Sequence, residues 1–334
     1  MKREALRELI VGAVATVPTP FDDDFNVDNG RIAEATWRWI DQGLVTGKAV
    51  IKVAASMGEG PQLDDDEWPG LLSAVVGAAR GRVPIVGAIY SKDTVRSIRH
   101  AKQALDLGAV AIQVNPPLNS DPTQDDILRY YGALSDAVDI GIIVYNNPWL
   151  PNGRIFIETL RKIVEFENIV AIKWEPGNDA DFEEVFELAS TVNIIDNTID
   201  LARGRRLGSI GFTSIGSGAY PPPYVRIWDM LEAGRLDEAQ AAWDMVDKPL
   251  RRFYDKVTSK SGGQGRVTKG MSEIMGYPMG SCRPPSLPLS RRPAWLRRQG
   301  QRPSGWFESL LNVNGSRSLS PIATSRELSE LAVV

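Results

Sequence analysis

Histidine and cysteine are almost absent from this chain of 334 residues, which contains one of each, His100 and Cys282. A single cysteine excludes an internal disulfide and any cysteine-rich zinc or iron–sulfur site. A single histidine excludes a metal site built on two or three histidines, and any Ser-His-Asp triad would have to use His100. His100 stands among polar residues in a predicted helix, so we predict that it lies on the surface. If the chain is an enzyme, its proton transfers fall to tyrosine, lysine, carboxylates or water.

Long apolar runs and an excess of basic residues are also lacking. No run reaches the roughly 18 residues that a membrane-spanning helix needs, and the N-terminus has no signal-peptide cleavage pattern. The net charge of -4 gives no broad basic surface, which argues against nucleic acid as a partner. We therefore expect a cytoplasmic protein that contacts neither membrane nor nucleic acid. Its 43% of hydrophobic residues can bury a large core.

From Val11 onward the sequence repeats one unit: a short apolar run, a turn rich in Pro, Gly, Asn or Ser, and an amphipathic helix. The apolar runs start roughly 20 to 35 residues apart, the size of a βα unit. They cover residues 11–17, 49–55, 83–89, 109–114, 140–145, 169–174, 192–196 and 209–214. These units predict a (β/α)8 TIM barrel, with its active site where the strands run into the following loops. The alternative fold, a doubly wound open sheet, typically has a glycine-rich phosphate loop after the first strand, where this chain has PTPFDDDFN.

The sequence divides into three predicted parts. Residues 1–225 form the barrel, and residues 226–280 form a C-terminal helical extension. Residues 281–334 are rich in Pro, Ser and Arg and show no apolar period, so we expect this tail to be poorly ordered or loosely docked. Within the barrel, apolar stripes predict helices over residues 32–39, 68–79, 95–107, 127–138, 157–165 and 182–191.

The sixth apolar run carries a lysine. Residues 168–176 read NIVAIKWEP, which suits a strand buried on both faces, yet Lys173 stands among them with no acid before Glu175. Burial disfavours the ammonium form, so the amine becomes free near neutral pH and can attack a ketone to form an imine. The alternative is a lysine at a strand end whose amine reaches solvent.

Two other strand ends face the same cavity if the barrel forms. Tyr145 ends the fifth run, just before an Asn-Asn-Pro turn, and it could move protons while Lys173 forms the imine. Ser56 stands in the small-residue turn after the second run, where its hydroxyl and the backbone N–H groups could hold a carboxylate. Each of these features alone also fits an ordinary turn.

Together, four motifs resemble the dihydrodipicolinate synthase and N-acetylneuraminate lyase family. They are the GE of ASMGEG, YNNP after strand five, IKWEPGN around the lysine and GFTSIGS of strand eight. The resemblance implies a class I pyruvate aldolase on a (β/α)8 barrel, usually tetrameric, that forms a Schiff base through Lys173 without a metal or organic cofactor. In such an enzyme Tyr145 would be the proton shuttle, and Ser56 with the N–H of Met57 would hold the pyruvate carboxylate.

The departures from that pattern concern the rest of the substrate. The lysine-pathway synthases of the family have PYYN after strand four, with a second relay tyrosine, where this chain has PPLN at 116–119. They also have an arginine for a second carboxylate where this chain has WLP at 149–151. The residues expected to line an apolar arm pocket instead, suited to an aromatic group, are Met57, Leu118, Trp149 and Trp174.

These departures, with GSCRPP at 280–285, resemble the hydratase-aldolase branch of the family. The resemblance predicts an enzyme that hydrates and cleaves an aryl-substituted unsaturated 2-oxo acid, such as trans-2'-carboxybenzalpyruvate, to an aromatic aldehyde (2-carboxybenzaldehyde) and pyruvate. Asn147 would help Tyr145 to position water, and Thr213 would contact the substrate. Arg154 and Asn119 are weak candidates for binding a ring carboxylate.

Other interpretations stay open. The ring could carry a different substituent, such as the hydroxyl of trans-o-hydroxybenzylidenepyruvate. The chain could instead be an aldolase or dehydratase for an aliphatic 2-oxo acid, like dihydrodipicolinate synthase itself. From another class, it could be a catalytically silent barrel that binds a small molecule or serves in assembly.

Overall fold

The computed structural model describes residues 1–90, 93–117, 121–177 and 179–287. Within these ranges eight parallel strands close into a barrel, each paired with the next and the last with the first. The strands are Gly12–Thr16 (β1), Ala49–Val53 (β2), Ile85–Ile89 (β3), Ala111–Val114 (β4), Gly141–Tyr145 (β5), Ile169–Trp174 (β6), Asn193–Asp196 (β7) and Gly211–Ser214 (β8). Each predicted apolar run contains one of them, so the predicted (β/α)8 fold is confirmed.

Helices cover the outside of the barrel and follow its last strand. They are Arg3–Leu9 (α1), Asn29–Asp41 (α2), Glu67–Ala79 (α3), Thr94–Asp106 (α4), Gln124–Ala137 (α5), Ile157–Ile163 (α6), Asp179–Glu184 (α7), Leu201–Leu207 (α8), Pro222–Glu232 (α9), Leu236–Lys260 (α10) and Gly265–Ile274 (α11). Capping hydrogen bonds define where several helices begin. The Asp28 side chain accepts a hydrogen bond from the third N–H of α2, and Thr123 forms a capping box with Asp126 at the start of α5. The stretch predicted as one helix over 182–191 is divided between α7 and a 3-10 helix, Val185–Leu188.

Side chains from alternate strands fill the barrel interior in layers. The strands are tilted, so residues at the same height are found by moving about one residue toward the carboxyl end, relative to the paired residue, at each step to the next strand. The lowest layer is Val50, Ala111, Ala171 and Gly211, and the next is Val14, Val86, Ile143 and Ile195. Leu6 of α1 and Ile10, just after that helix, pack into the same apolar cluster from below. The third layer is polar and consists of Lys52, Gln113, Lys173 and Thr213. Chemistry is therefore confined to the carboxyl end of the strands.

The segment after α11 packs beside the barrel mouth. Lys269 of α11 forms a buried ion pair with Glu59, in the loop after β2, at 2.9 Å. Arg283 forms an ion pair with Glu67 and donates to carbonyl groups in the loops after β1 and β2. Residues 281–287, the first part of the predicted tail, are thus held by the barrel, and the rest of that tail lies outside the described residues.

The prediction that His100 lies on the surface is wrong. Its side chain is buried, and its ring stacks on Trp68 with 5.3 Å between the centroids. Burial lowers the pKa of His100 below its ordinary value. The imidazole therefore acts as a flat aromatic surface between α3 and α4, a role that its polar neighbours in the sequence do not indicate.

Among the described residues, no helix combines the length and the apolar character needed to cross a bilayer.

Candidate active site

Lys173 points from β6 into the barrel. Its side chain is 8% exposed, and no carboxylate of the described residues forms an ion pair with it. Burial lowers the pKa of Lys173 to about 8, although Tyr90 and Glu175 act in the opposite direction. A useful fraction of this amine is therefore uncharged near neutral pH, as a nucleophile requires.

Tyr145 ends the neighbouring strand β5 and pairs in register with Lys173. The Lys173 Nζ atom lies 3.6 Å from the centroid of the Tyr145 ring. Burial, and to a lesser degree the charge of Glu175, raises the pKa of Tyr145, while a hydrogen bond with the Asn147 side chain lowers it. The phenol therefore holds its proton in the free protein and can act first as an acid. The structure brings the predicted amine, phenol and Asn147 together.

The structure adds a second phenol, Tyr90, that was not predicted from the sequence. Tyr90 directly follows β3 and continues the inward-facing alternation of that strand. Its Oη accepts a hydrogen bond from the Ser56 N–H at 2.8 Å and shares another with Ser56 Oγ at 2.8 Å. Tyr90 also interacts electrostatically with Lys173 and Tyr145. The sequence does contain a signal for Tyr90: like Tyr145, it stands at the end of an apolar run.

The turn that carries Ser56 and Met57 is fixed by its backbone. Ala54 and Glu59 have positive φ values of 57° and 59°, and a Cβ on Gly60 would lie 1.6 Å from the Ala54 carbonyl oxygen. Glycine is therefore required there. The turn holds Ser56 and Met57, both partly buried, at the barrel mouth. A carboxylate bound at this turn would share Ser56 with Tyr90.

A chain of hydrogen bonds crosses the barrel mouth from β8 to the loop after β5. Thr213 donates to Asn197 Oδ1, and the Asn197 amide donates to the Glu175 carboxylate. The indole N–H of Trp149 donates to the other oxygen of Glu175 at 2.8 Å. The hydroxyl proton of Thr213 is thus already used, so a substrate group there would have to be a donor. Asn197 and Glu175 were not predicted as site residues.

The predicted apolar arm pocket is only partly present. The prediction that Trp174 lines it is wrong, because alternation along β6 turns Trp174 away from Lys173 and into the core beneath the helices. Trp149 is 71% exposed and does not form a closed wall. Arg154 pairs with Asp181 at 2.7 Å, in keeping with a surface role. Leu118 and Asn119 lie outside the described residues.

The arrangement as a whole suits imine chemistry. A buried amine supplies a nucleophile, and two phenols and a serine hydroxyl supply groups that give and take protons. In the described part of the chain, no three His, Cys, Asp or Glu side chains are grouped so that they could hold a metal ion.

Sequence comparison points to one family. Residues 9–294 match the model of the dihydrodipicolinate synthetase family. A 4-hydroxy-tetrahydrodipicolinate synthase of Halalkalibacterium halodurans is 27% identical over 284 residues, which cover 84% of this chain and 92% of the relative. The enzyme of the same name from Xanthomonas axonopodis pv. citri is 31% identical over 236 residues, covering 70% and 76%.

Structure comparison agrees. A crystal structure of a dihydrodipicolinate synthase from Bacillus anthracis superposes with a TM-score of 0.74 at 26% identity, covering 85% of this chain and 94% of that one.

Proposed function

Because this chain belongs to the dihydrodipicolinate synthetase family, we propose that its reaction runs through a Schiff base between Lys173 and a 2-oxo acid. As a member of that family it is a carbon–carbon lyase. One observation carries the proposal: the Lys173 amine is buried, forms no ion pair with a carboxylate of the described residues, and lies 3.6 Å from the centre of the Tyr145 ring. By resemblance to its relatives, we also propose a tetramer of identical subunits.

The first half of the reaction forms the iminium. The uncharged Lys173 amine adds to the ketone carbon, and the hydroxyl of the resulting carbinolamine takes the proton of Tyr145 and leaves as water. The iminium cation that forms lowers the pKa of the adjacent phenol, so Tyr145 is left as a phenolate. Tyr145 stays a phenolate until the next step.

The second half breaks the carbon–carbon bond. The phenolate removes the proton of the C4 hydroxyl, the bond between C3 and C4 breaks, and its electron pair enters the iminium to form an enamine. An aldehyde leaves, and Tyr145 gives its new proton to C3 of the enamine. Tyr90 can then return a proton to Tyr145 through Ser56, and the water that releases pyruvate restores the proton of Tyr90. An unsaturated substrate first adds water at C4, which supplies the hydroxyl that cleavage needs. The reverse order of steps joins pyruvate to an aldehyde.

The aldehyde half of the substrate has two candidates. An aryl-substituted unsaturated 2-oxo acid, the hydratase-aldolase substrate, is supported by the apolar side chains of Met57 and Trp149 near the mouth. The pairing of Arg154 with Asp181 argues against a role for Arg154 in binding a ring carboxylate. A dihydrodipicolinate synthase-like reaction with an aliphatic aldehyde is supported by the names of the relatives, and these comparisons favour it over the aryl substrate.

Two experiments test these proposals in turn. Borohydride reduction with pyruvate should add one reduced pyruvyl group to Lys173, seen by peptide mass spectrometry, and a folded sample with no adduct would refute the Schiff base. Incubation with trans-2'-carboxybenzalpyruvate should then release an aromatic aldehyde that absorbs in the ultraviolet if the aryl candidate holds. Turnover of pyruvate with aspartate semialdehyde alone would assign the aliphatic candidate instead.

The rate of imine formation should depend on pH through Lys173. Its neutral fraction rises through a pKa of about 8, so the rate at low pyruvate should increase about tenfold from pH 6 to 7, about fivefold from pH 7 to 8, and level off above about pH 9. Quenched-flow borohydride trapping measures this rate. A midpoint near 10.5, as for a solvated lysine, would contradict the burial argument.

Replacing Tyr90 with phenylalanine should lower kcat by about 10- to 100-fold and leave KM within about threefold. The variant keeps the ring but removes the oxygen that binds Ser56, so proton return to Tyr145 slows while the carbon skeleton stays in place. Steady-state kinetics measure the effect. Tyr130→Phe, which removes the phenol bonded to Ser97 outside the barrel, is the matched control and should leave kcat unchanged. An unchanged kcat in the Tyr90 variant would exclude its role.

A further inference from the structure

A carboxylate that the proposed reaction does not use lies at the barrel mouth. Glu175 comes two residues after Lys173 and continues the inward-facing alternation of β6. One of its carboxylate oxygens accepts from the indole N–H of Trp149 at 2.8 Å, and the other accepts from the Asn197 amide. Its backbone carbonyl accepts from the Asn146 side chain at 2.7 Å. The loops after β5 and β7 therefore hold this carboxylate in one place.

The negative charge of Glu175 has no countercharge among its bonded neighbours. Both donors to the carboxylate, an indole and an amide, are uncharged. None of the described Lys or Arg side chains forms an ion pair with it. The side chain is partly buried, where solvent screens a charge less than in bulk water. The barrel mouth therefore carries a fixed negative charge beside Lys173 and Tyr145, on which it acts electrostatically.

The aldehyde half of the substrate has to pass this charge. In the proposed mechanism Tyr145 takes the proton of the C4 hydroxyl, so C4 lies beside Tyr145 and its substituent extends toward the mouth. Tyr145 pairs in register with Lys173, two residues before Glu175 on the neighbouring strand. Arg154, in the same loop as Trp149, is already paired with Asp181. A negatively charged substituent on C4 would therefore meet a like charge without a compensating cation.

We propose that Glu175 is a specificity-determining residue that disfavours aldehyde halves with a net negative charge and favours those with a hydroxyl, amide or ammonium donor. This inference rests on the proposed function, since it concerns the aldehyde half of that reaction. Repulsion between like charges is a common way to reject one of two substrates of similar size. Among the aryl candidates, a ring hydroxyl is then favoured over a ring carboxylate. Aspartate semialdehyde stays acceptable, because its ammonium balances its carboxylate.

Substrates of similar shape and different charge test the proposal. trans-3'-Carbamoylbenzalpyruvate and trans-3'-carboxybenzalpyruvate differ only in the amide or carboxylate on the ring. For an aliphatic aldehyde half, methyl 4-oxobutanoate and succinic semialdehyde, each condensed with pyruvate, form the corresponding pair. In the pair that the enzyme turns over, kcat/KM should be about 10- to 100-fold higher for the uncharged member. Equal values, or a preference for the carboxylate, would overturn the proposal.

Glu175→Gln removes the charge but keeps the size of the side chain and one acceptor oxygen. The preference for the uncharged substrate should fall to within about threefold, and kcat/KM for the carboxylate substrate should rise. Structural damage would lower the activity toward both substrates, so a gain for one of them identifies the charge as the cause. Comparing two substrates also cancels any effect of the variant on Lys173 or Tyr145, because both substrates use these residues.

Glu8→Gln is the matched control. It makes the same change at an exposed residue of α1, beneath the barrel, and should leave the preference as in the wild type. A preference in Glu175→Gln equal to that of Glu8→Gln would reject Glu175 as the determinant. Borohydride and pyruvate should label Lys173 in both variants, so failure of this inference is distinguishable from failure of the Schiff base.

Discussion

Replacing Lys173 with methionine is expected to lower kcat/KM by about 10⁴- to 10⁶-fold, the loss typical of removing a covalent nucleophile, and at the same time to make the protein more stable. Methionine fills nearly the same volume in the polar layer but cannot condense with a ketone. Borohydride and pyruvate should leave the variant unlabelled. Retention of more than about one hundredth of the activity would remove Lys173 from the mechanism.

The gain in stability follows from the pKa of Lys173. Burial lowers this pKa from 10.5 to about 8. Below pH 8, where the amine is charged in both states, the buried ammonium therefore reduces the free energy of unfolding by about 3 kcal/mol. Between pH 8 and 10.5 the folded protein has released the proton and the unfolded chain still binds it, so the wild type gains stability as pH rises. The advantage of methionine should therefore be about 3 kcal/mol at pH 7 and less than about 1 kcal/mol at pH 10.

Urea unfolding at these two pH values measures the difference. Lys162→Met, which changes an exposed lysine on the outer helix α6, is the control and should alter neither activity nor the pH dependence. An equal stability of wild type and Lys173→Met at pH 7 would mean that the amine is well solvated. A protein that gains stability when its nucleophile is lost is the expected sign of a strained functional site.

Most of the barrel was predictable because its signals are local. Each strand is a short apolar run, and the period of the runs sets the number of βα units. Lys173 was recognisable as a candidate site residue because it interrupts such a run, and Tyr145 because it ends one. Alternation along a strand also predicts which side chains face the barrel interior. It places Lys173 inside and Trp174 outside, which removes Trp174 from the pocket.

The rest of the site depends on contacts between distant parts of the chain. Glu59 pairs with Lys269, more than two hundred residues away, and Lys52 meets Gln113 only because strands two and four contribute to one layer. His100 looks like a surface residue until Trp68 covers it. None of these pairings leaves a pattern within a short window of sequence. The strand register of the closed barrel reveals the pairing of Lys52 with Gln113, and only the packing of loops and helices around the barrel reveals the other two.

Removing the Tyr145 hydroxyl should lower kcat by about 10²- to 10⁴-fold, the range for losing a positioned general acid–base group, and change KM little. Tyr145→Phe keeps the ring on which the Lys173 amine rests at 3.6 Å, so the nucleophile stays in place. Burial holds the proton on this phenol in the free enzyme, and only the iminium cation next to it makes its release favourable. The variant should therefore fail at both water loss from the carbinolamine and removal of the C4 proton.

Trapping kinetics separate these steps. In Tyr145→Phe the borohydride adduct on Lys173 should form more slowly but reach the same final level, because the equilibrium of imine formation does not depend on the proton carrier. Tyr130→Phe should react as fast as the wild type, since its phenol bonds Ser97 between helices α4 and α5. If Tyr145→Phe instead kept kcat within threefold, the proton would have to travel by Tyr90 and Ser56 alone. The double variant Tyr90→Phe/Tyr145→Phe would then lose the activity that the single variant retains, because no other phenol is bonded to Ser56 among the described residues.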